Sequence, residues 1–138
     1  MKQILTLLIL SVIVGCSSEI DKPNLIGKWA GFENDSSYSE VWFNDSLFLE
    51  WNADMYSHLV YSYQYDPADN KLIVMIPNDG DKINTIDVNF IDSGSIKLSD
   101  SKNSWTYRRI DSETPNLAEG RLDSIDFEIG MREKKARR

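Results

Sequence analysis

Cysteine and histidine are almost absent from this chain of 138 residues, which contains one of each. Cys16 and His58 alone cannot form a disulfide framework or a zinc site built from cysteine and histidine ligands. A catalytic histidine also needs an orienting partner, and no Ser-His-Asp order identifies one for His58. We therefore expect a protein that is not an enzyme and that holds no metal or cofactor.

Basic residues are scarce in the main body of the chain. Residues 19–107 contain six lysines and no arginine against fifteen carboxylates, a net charge of −9, whereas residues 108–138 contain eight basic and seven acidic residues. The whole chain has a formal net charge of −7. Nucleic acid repels such a surface, so we expect no nucleic-acid partner.

The apolar run at the N terminus, Ile4 to Val14, is too short to cross a bilayer, because a transmembrane helix needs about 20 residues. It follows the basic residue Lys2 and ends in small residues. This pattern predicts a signal peptide over residues 1–15.

The sequence Ile13-Val14-Gly15-Cys16 resembles the lipobox of bacterial lipoproteins. The resemblance implies cleavage before Cys16 and a diacylglyceryl group on its thiol, and residues 16–24 would then be a lipidated tether to the membrane. Ser17, next to the cysteine, is similar to the pattern that sorts such proteins to the outer membrane. The alternative is an ordinary cleaved signal peptide with a cysteine there by chance.

Polar turn sequences recur about every ten residues between Leu25 and Ile110, and fourteen of the fifteen aromatic residues lie between Trp29 and Tyr107. Short aromatic-rich segments between such turns predict β-strands. The predicted strands are 27–32, 39–43, 47–51, 59–65, 71–76, 83–91, 95–99 and 104–110. Because closure removes two open sheet edges, we predict an all-β fold over residues 25–110, an eight-stranded up-and-down antiparallel barrel, followed by a C-terminal extension over 111–138.

Loop lengths predict which side chains share a face, since facing residues in a hairpin point the same way. A three-residue loop at 44–46 would pair Phe43 with Leu47. A four-residue loop at Asp66-Pro67, a three-residue loop at 92–94 and a four-residue loop at 100–103 would align Tyr65 with Leu72, Phe90 with Ile96 and Leu98 with Trp105. The resulting interior face includes the candidate ligand-lining residues Phe43, Trp51, Tyr61, Tyr63, Phe90, Trp105 and Tyr107. The pattern places them inside without deciding whether they fill the barrel or line a pocket.

Gly27-Lys28-Trp29 on the first strand and Arg109 at the end of the last strand resemble the lipocalins, and in particular the short lipocalin-like domains of bacterial lipoproteins. The resemblance implies that Trp29 plugs one barrel end and that Arg109 packs across it, donating to backbone carbonyls. Alternation along the last strand independently points Arg109 inward. The resemblance transfers no particular ligand; the aromatic interior makes a small apolar molecule the candidate guest.

The predicted register also places Trp42 opposite Phe48, and Glu40 opposite Glu50, on the outer face. An exposed aromatic pair needs a cover or a partner. Ile125, Phe127, Ile129 and Met131 alternate with polar residues, which favours an extra strand, whereas Leu122, Ile125 and Ile129 fit a short helix. Two functions follow: an anchored barrel that binds a small ligand, or a filled barrel that binds an envelope protein through Trp42, Phe48 and the C-terminal segment.

Overall fold

A computed structural model describes residues 24–32 and 37–138. The predicted signal peptide and Cys16 lie outside the described residues. The strands are β1 (Gly27–Phe32), β2 (Tyr38–Phe43), β3 (Leu47–Asn52), β4 (Ser57–Asp66), β5 (Lys71–Met75), β6 (Lys82–Asp92), β7 (Ser95–Ser99) and β8 (Ser104–Asp111), followed by a 3-10 turn (Glu119–Arg121) and helix α1 (Leu122–Ala136).

The eight strands form a closed antiparallel barrel in sequence order. Closure is made by β1 and β8, where Trp29 faces Arg109. These two strands approach so closely that a Cβ atom on Gly31 would lie 2.3 Å from the carbonyl oxygen of Thr106, so glycine is required there. The predicted all-β barrel is confirmed, and each predicted strand bound lies within two residues of the observed one.

The barrel interior holds the main apolar core. Three of the four predicted hairpin registers are confirmed: Tyr65 pairs with Leu72, Phe90 with Ile96, and Leu98 with Trp105. The buried members of this core are Leu25, Trp29, Val41, Phe43, Phe48, Leu72, Val74, Val88, Ile96, Leu98 and Tyr107. Alternation of side chains along each strand is what brings them together.

The predicted register between β2 and β3 is wrong by one residue. Phe43 pairs with Phe48 rather than with Leu47, because the turn contains two residues instead of three. Asn44 closes this turn: its backbone N–H donates to the carbonyl of Leu47, and its side-chain oxygen accepts from the backbone N–H groups of Ser46 and Leu47. A slip of one residue reverses the face of every side chain on the strand.

Several predictions about β3 therefore fail. Phe48 and Glu50 point into the barrel, whereas Trp51 points outward, so Trp51 cannot line the interior. Trp42 does lie on the outer face as predicted, but its partner across the sheet is Leu49 and not Phe48. Glu40 faces Trp51, so it forms no pair with Glu50.

The C-terminal segment is a helix, and the preferred extra strand is wrong. Ile125 and Ile129 of α1 are buried against the outside of the barrel, as the helical alternative predicted. They belong to a second apolar core, which lies between α1 and the outer surface of β2 and β3. Its buried members are Tyr38, Trp42, Leu49, Trp51, Ala53, Leu117, Ile125 and Ile129. The predicted cover over Trp42 thus exists, in helical form. Among the described residues no helix is long and apolar enough to span a membrane.

Candidate functional site

One end of the barrel is closed by Trp29 and Arg109. The Trp29 side chain is fully buried, and its indole N–H donates to the carbonyl of Leu25 at 2.8 Å. The Arg109 guanidinium lies 4.0 Å from the centre of the Trp29 ring and donates to the carbonyls of Ile26, at 2.7 Å, and Asn24. This is the arrangement that alternation and the lipocalin resemblance predicted. The cation is satisfied without a carboxylate, because the ring face and two carbonyls surround it.

Gly27 makes this closure sterically feasible. Its backbone has a φ of +129°, a conformation that side chains disfavour. A Cβ atom there would lie 2.5 Å from the carbonyl oxygen of Asp111 and 3.0 Å from a guanidinium nitrogen of Arg109. Burial lowers the pKa of Arg109 from its usual value. The contacts among Gly27, Trp29 and Arg109 are therefore close-packed, and they fill the barrel interior at this end.

The opposite end of the barrel contains a cavity of about 220 Å³. Its lining residues are Val41, Phe48, Glu50, Tyr61, Val74, Ile83, Asn84, Ile86, Leu98, Asp100, Trp105 and Tyr107. Apolar and aromatic side chains dominate this lining, as they do in most small-molecule sites. Three carboxylate or amide side chains, those of Glu50, Asn84 and Asp100, add polar groups.

The predicted ligand-lining residues divide into three groups. Tyr61, Trp105 and Tyr107 line the cavity. Phe43, Tyr63 and Phe90 pack in the barrel core outside the cavity lining, where Phe43 contacts Tyr63 edge-on with ring centres 5.5 Å apart. Trp51 lies outside the barrel, beneath α1.

Phe48 and Glu50 are the lining residues on β3 that sequence reasoning missed. Phe48 stacks on Phe43 and Tyr61, with ring centres 5.4 Å and 5.0 Å apart. The signal that could have placed it is the Asn44-Asp45-Ser46 sequence, because an asparagine that caps its own turn favours a shorter loop. The same register would have placed the Glu50 side chain inside the barrel.

Two pKa values at the cavity, those of Tyr61 and Asp100, are shifted by their surroundings. Burial, followed by the charge of Glu50, raises the pKa of Tyr61 from its usual value. The Asp100 carboxylate accepts hydrogen bonds from the backbone N–H groups of Lys102 at 2.8 Å and Asn103 at 2.7 Å, which lower its pKa. Asp100 is therefore ionised at neutral pH, and the phenol of Tyr61 is neutral.

A second polar feature lies outside the barrel, under α1. Glu40 is fully buried, and its two oxygens accept from Tyr38 at 2.6 Å and from the Trp42 indole at 2.7 Å. Arg132 of α1 completes the set with a two-pronged contact, each bond 2.8 Å long. Although desolvation opposes it, bonding to Glu40 and Glu128 raises the pKa of Arg132. This buried pair fixes α1 to the barrel and was not predicted.

His58 receives the partner that the sequence did not identify. Its Nδ1 lies 2.8 Å from a carboxylate oxygen of Asp126, so the pair joins β4 to α1. His58 is not among the cavity-lining residues. The imidazole thus forms a side-chain contact between the barrel and α1.

No known protein family, curated protein or solved structure matches this chain. Within residues 24–32 and 37–138, no group of three or more His, Cys, Asp or Glu side chains is arranged to hold a metal ion.

Proposed function

We propose that the barrel binds one small apolar molecule in the cavity at its unplugged end. The observation that carries this proposal is the difference between the two barrel ends. Trp29 and Arg109 fill one end, whereas about 220 Å³ of space bordered by Phe48, Tyr61 and Trp105 is left at the other. A less enclosed cavity of about 440 Å³ also lies at the plugged end, but its lining includes fewer apolar residues. The aromatic cavity is the better site because apolar enclosure is what binds an apolar ligand.

Cavity volume limits the size of the ligand. An apolar cavity of about 150 Å³ is enough to hold benzene. The cavity here, at about 220 Å³, suits a molecule of roughly the size of a bicyclic aromatic ring or a short acyl chain. We therefore expect the guest to be smaller than a long-chain lipid.

Two substitutions on one strand test the cavity directly. Ile83 lies at the cavity and is 51% exposed, and Ile91, near the other end of β6, is 55% exposed. Ile83→Trp should obstruct the cavity, whereas Ile91→Trp is the matched control. Native mass spectrometry of protein purified from membranes, with extraction of the bound molecule, should find a small ligand on the wild type and on Ile91→Trp. Equal occupancy in Ile83→Trp, or no ligand on any form, would contradict the proposal.

We also propose that the barrel is anchored to the outer membrane by a lipid on Cys16. The support is the lipobox-like sequence Ile13-Val14-Gly15-Cys16. Two or more acyl chains suffice for stable anchoring, because each buried methylene contributes about 0.8 kcal/mol. Cys16→Ser should leave the chain unprocessed or release it from membranes, as measured by fractionation and by the mass of the mature N terminus. A wild-type N terminus without acyl mass would refute the anchor.

The second candidate function, binding to an envelope protein, is favoured by two exposed side chains of α1. The predicted contact residues Trp42 and Phe48 are both buried. Phe127 and Met131, one helical turn apart, are 73% and 54% exposed. Cross-linking followed by mass spectrometry should recover a stoichiometric partner that is lost in Phe127→Ser if this function is correct. If no stoichiometric partner is recovered, or if the partner is retained in Phe127→Ser, ligand binding remains the better-supported function.

A further inference from the structure

The charges at the cavity indicate which class of apolar ligand it selects. We infer that the cavity prefers ligands that carry a small cationic group, such as a primary ammonium, over ligands that carry a carboxylate. This inference depends on the proposed ligand-binding function and adds the charge of the guest to it.

Glu50 supplies the first negative charge. It pairs across the sheet with Val41 on one side and Leu59 on the other, so its side chain belongs to the inward face of the barrel. The aromatic rings of Phe48 and Tyr61 also belong to the cavity lining. A cation bound there would meet both a carboxylate and the faces of aromatic rings, and both attract positive charge.

Asp100 supplies the second negative charge, at the turn that joins β7 to β8. The two backbone N–H groups that it accepts from hold the carboxylate in place, and Asn84 donates to it at 3.5 Å. Asn84 and Asp100 both line the cavity. Their position on the turn side of the barrel places this charge where a polar end of the guest would lie.

Within the part of the chain that the structure describes, no lysine, arginine or histidine lines the cavity. Lys102 follows Asp100 in the exposed turn and offsets part of its charge. The net charge of −9 over residues 19–107 acts in the same direction as the two carboxylates, by drawing cations towards the barrel. A carboxylate ligand would therefore be repelled both locally and at long range.

Three matched probes separate ligand binding from charge selection. They are 1-naphthylmethylammonium, 1-naphthylmethanol and 1-naphthylacetate, which share one apolar body and differ in charge. Titration by calorimetry at pH 7 should give the tightest binding for the ammonium, at least about tenfold tighter than for the acetate. Raising the salt concentration should reduce this ratio, because screening weakens charge–charge attraction.

Variants that remove one negative charge test which carboxylate causes the preference for the ammonium probe. Glu50→Gln and Asp100→Asn should each lower the ratio of ammonium to acetate affinity by about threefold or more, with little change for the alcohol. Asp69→Asn, an equal charge change at the exposed turn between β4 and β5, is the control and should leave the ratio unchanged. Circular dichroism confirms that each variant is folded, and the salt dependence of the wild type remains decisive if one is not.

The outcomes distinguish the two proposals. If none of the three probes binds the wild type, the proposed ligand-binding function fails. If the alcohol binds but the ammonium binds no more tightly than the acetate, ligand binding stands and the charge preference is overturned. A preference that survives Glu50→Gln together with Asp100→Asn, or that does not respond to salt, would also overturn it.

Discussion

The chain builds two apolar cores that differ in how they treat charge. The core inside the barrel is apolar and aromatic, with Arg109 at its plugged end and Glu50 at the cavity of the other end. The outer core, between the barrel and α1, surrounds the fully buried carboxylate of Glu40, which accepts hydrogen bonds from the core residues Tyr38 and Trp42. It also contains the indole N–H of Trp51, which is buried and has no hydrogen-bond partner among residues 24–32 and 37–138.

The comparison shows two ways of joining structural elements. Strands of the barrel are held in register by a continuous ladder of backbone hydrogen bonds, so their register does not depend on polar contacts between interior side chains. A helix that lies on a sheet has no such ladder. The Glu40–Arg132 contact and the His58–Asp126 contact supply directional bonds in its place, and so they fix where α1 docks.

Truncation of Trp29, which fills the plugged end, tests the inner core and should cause the largest loss of stability. Trp29→Ala deletes a fully buried indole and should lower the free energy of unfolding by about 3 to 5 kcal/mol. The measurement is the denaturant midpoint with its slope. Phe32→Ala, on the same strand but 50% exposed, is the control and should lose much less. Equal losses would mean that Trp29 is not the centre of the closed end.

Breaking the buried ion pair tests the outer core. Arg132→Met removes two donors from Glu40 and leaves a carboxylate without its cation in a buried site. Loss of one partner of a buried ion pair costs about 3 to 5 kcal/mol of stability. We expect a loss of about 2 to 4 kcal/mol here, because the Arg132 side chain is 30% exposed and water can replace part of its hydrogen bonding to Glu40.

Lys134→Met, on the exposed side of the same helix, is the control for that measurement and should change stability by under about 0.5 kcal/mol. The double variant Glu40→Gln with Arg132→Met should recover part of the loss, because it removes the stranded charge. No recovery would show that the pair acts through shape alone.

Arg109→Lys tests the contact between guanidinium and indole. Lysine keeps the charge but loses the planar stack and the fork of donors, so we expect a loss of about 1 to 3 kcal/mol. Because Arg109 and Trp29 touch, the double variant with Trp29→Ala should lose less than the sum of the single losses. Strict additivity in a double-mutant cycle would mean that the two side chains do not interact.

Alkaline pH should produce the smallest effect, through Tyr63. Burial, with the charge of Asp45, raises its pKa from 10.0 to about 12, and its hydroxyl donates to the carbonyl of Asn44. Below pH 10 the phenol is neutral in both states, so its contribution is complete. As the pH rises from 10 towards 12, the unfolded chain ionises first, and stability falls.

Because the hydroxyl is only partly buried, we expect Tyr63 to account for about 1 kcal/mol of this loss. Stability measured at several pH values should therefore fall less steeply between pH 10 and 12 in Tyr63→Phe than in the wild type. Tyr56→Phe, at a residue that is 70% exposed, provides the control. An unchanged slope in Tyr63→Phe would contradict the assignment.

The strand registers were predictable wherever one face of the strand is exposed to solvent and the other is buried. Along β7, buried Ile96 and Leu98 alternate with exposed Lys97, and the predicted register agreed with the observed one. Strand β2 is buried at every residue, and β3 has apolar residues on both faces. Alternation carries no signal in such strands, so the loop length alone decided the prediction, and the wrong loop length reversed it.

The candidate site was predicted in part for the same reason. Tyr61, Trp105 and Tyr107 stand on strands with clear alternation, and they line the cavity. Glu50 could not be placed inside by hydropathy, since a carboxylate reads as an outer-face residue. Whether the interior is filled or hollow also depended on side-chain packing, which no pattern along the chain records.

By itself the sequence determined the eight strands, their order, most of the inward face and the meeting of Trp29 with Arg109. The strands and their inward face follow from local turn chemistry and from the two-residue period of a strand, which act over short stretches of chain. The contact between Trp29 and Arg109 was expected from that period together with barrel closure and the lipocalin resemblance. Only the tertiary structure decided the helical form of residues 122–136, the burial of Glu40 against Arg132 and the cavity of about 220 Å³. Each of these depends on contacts between residues far apart in the chain, because a face that looks exposed on its own strand becomes a core once a helix covers it.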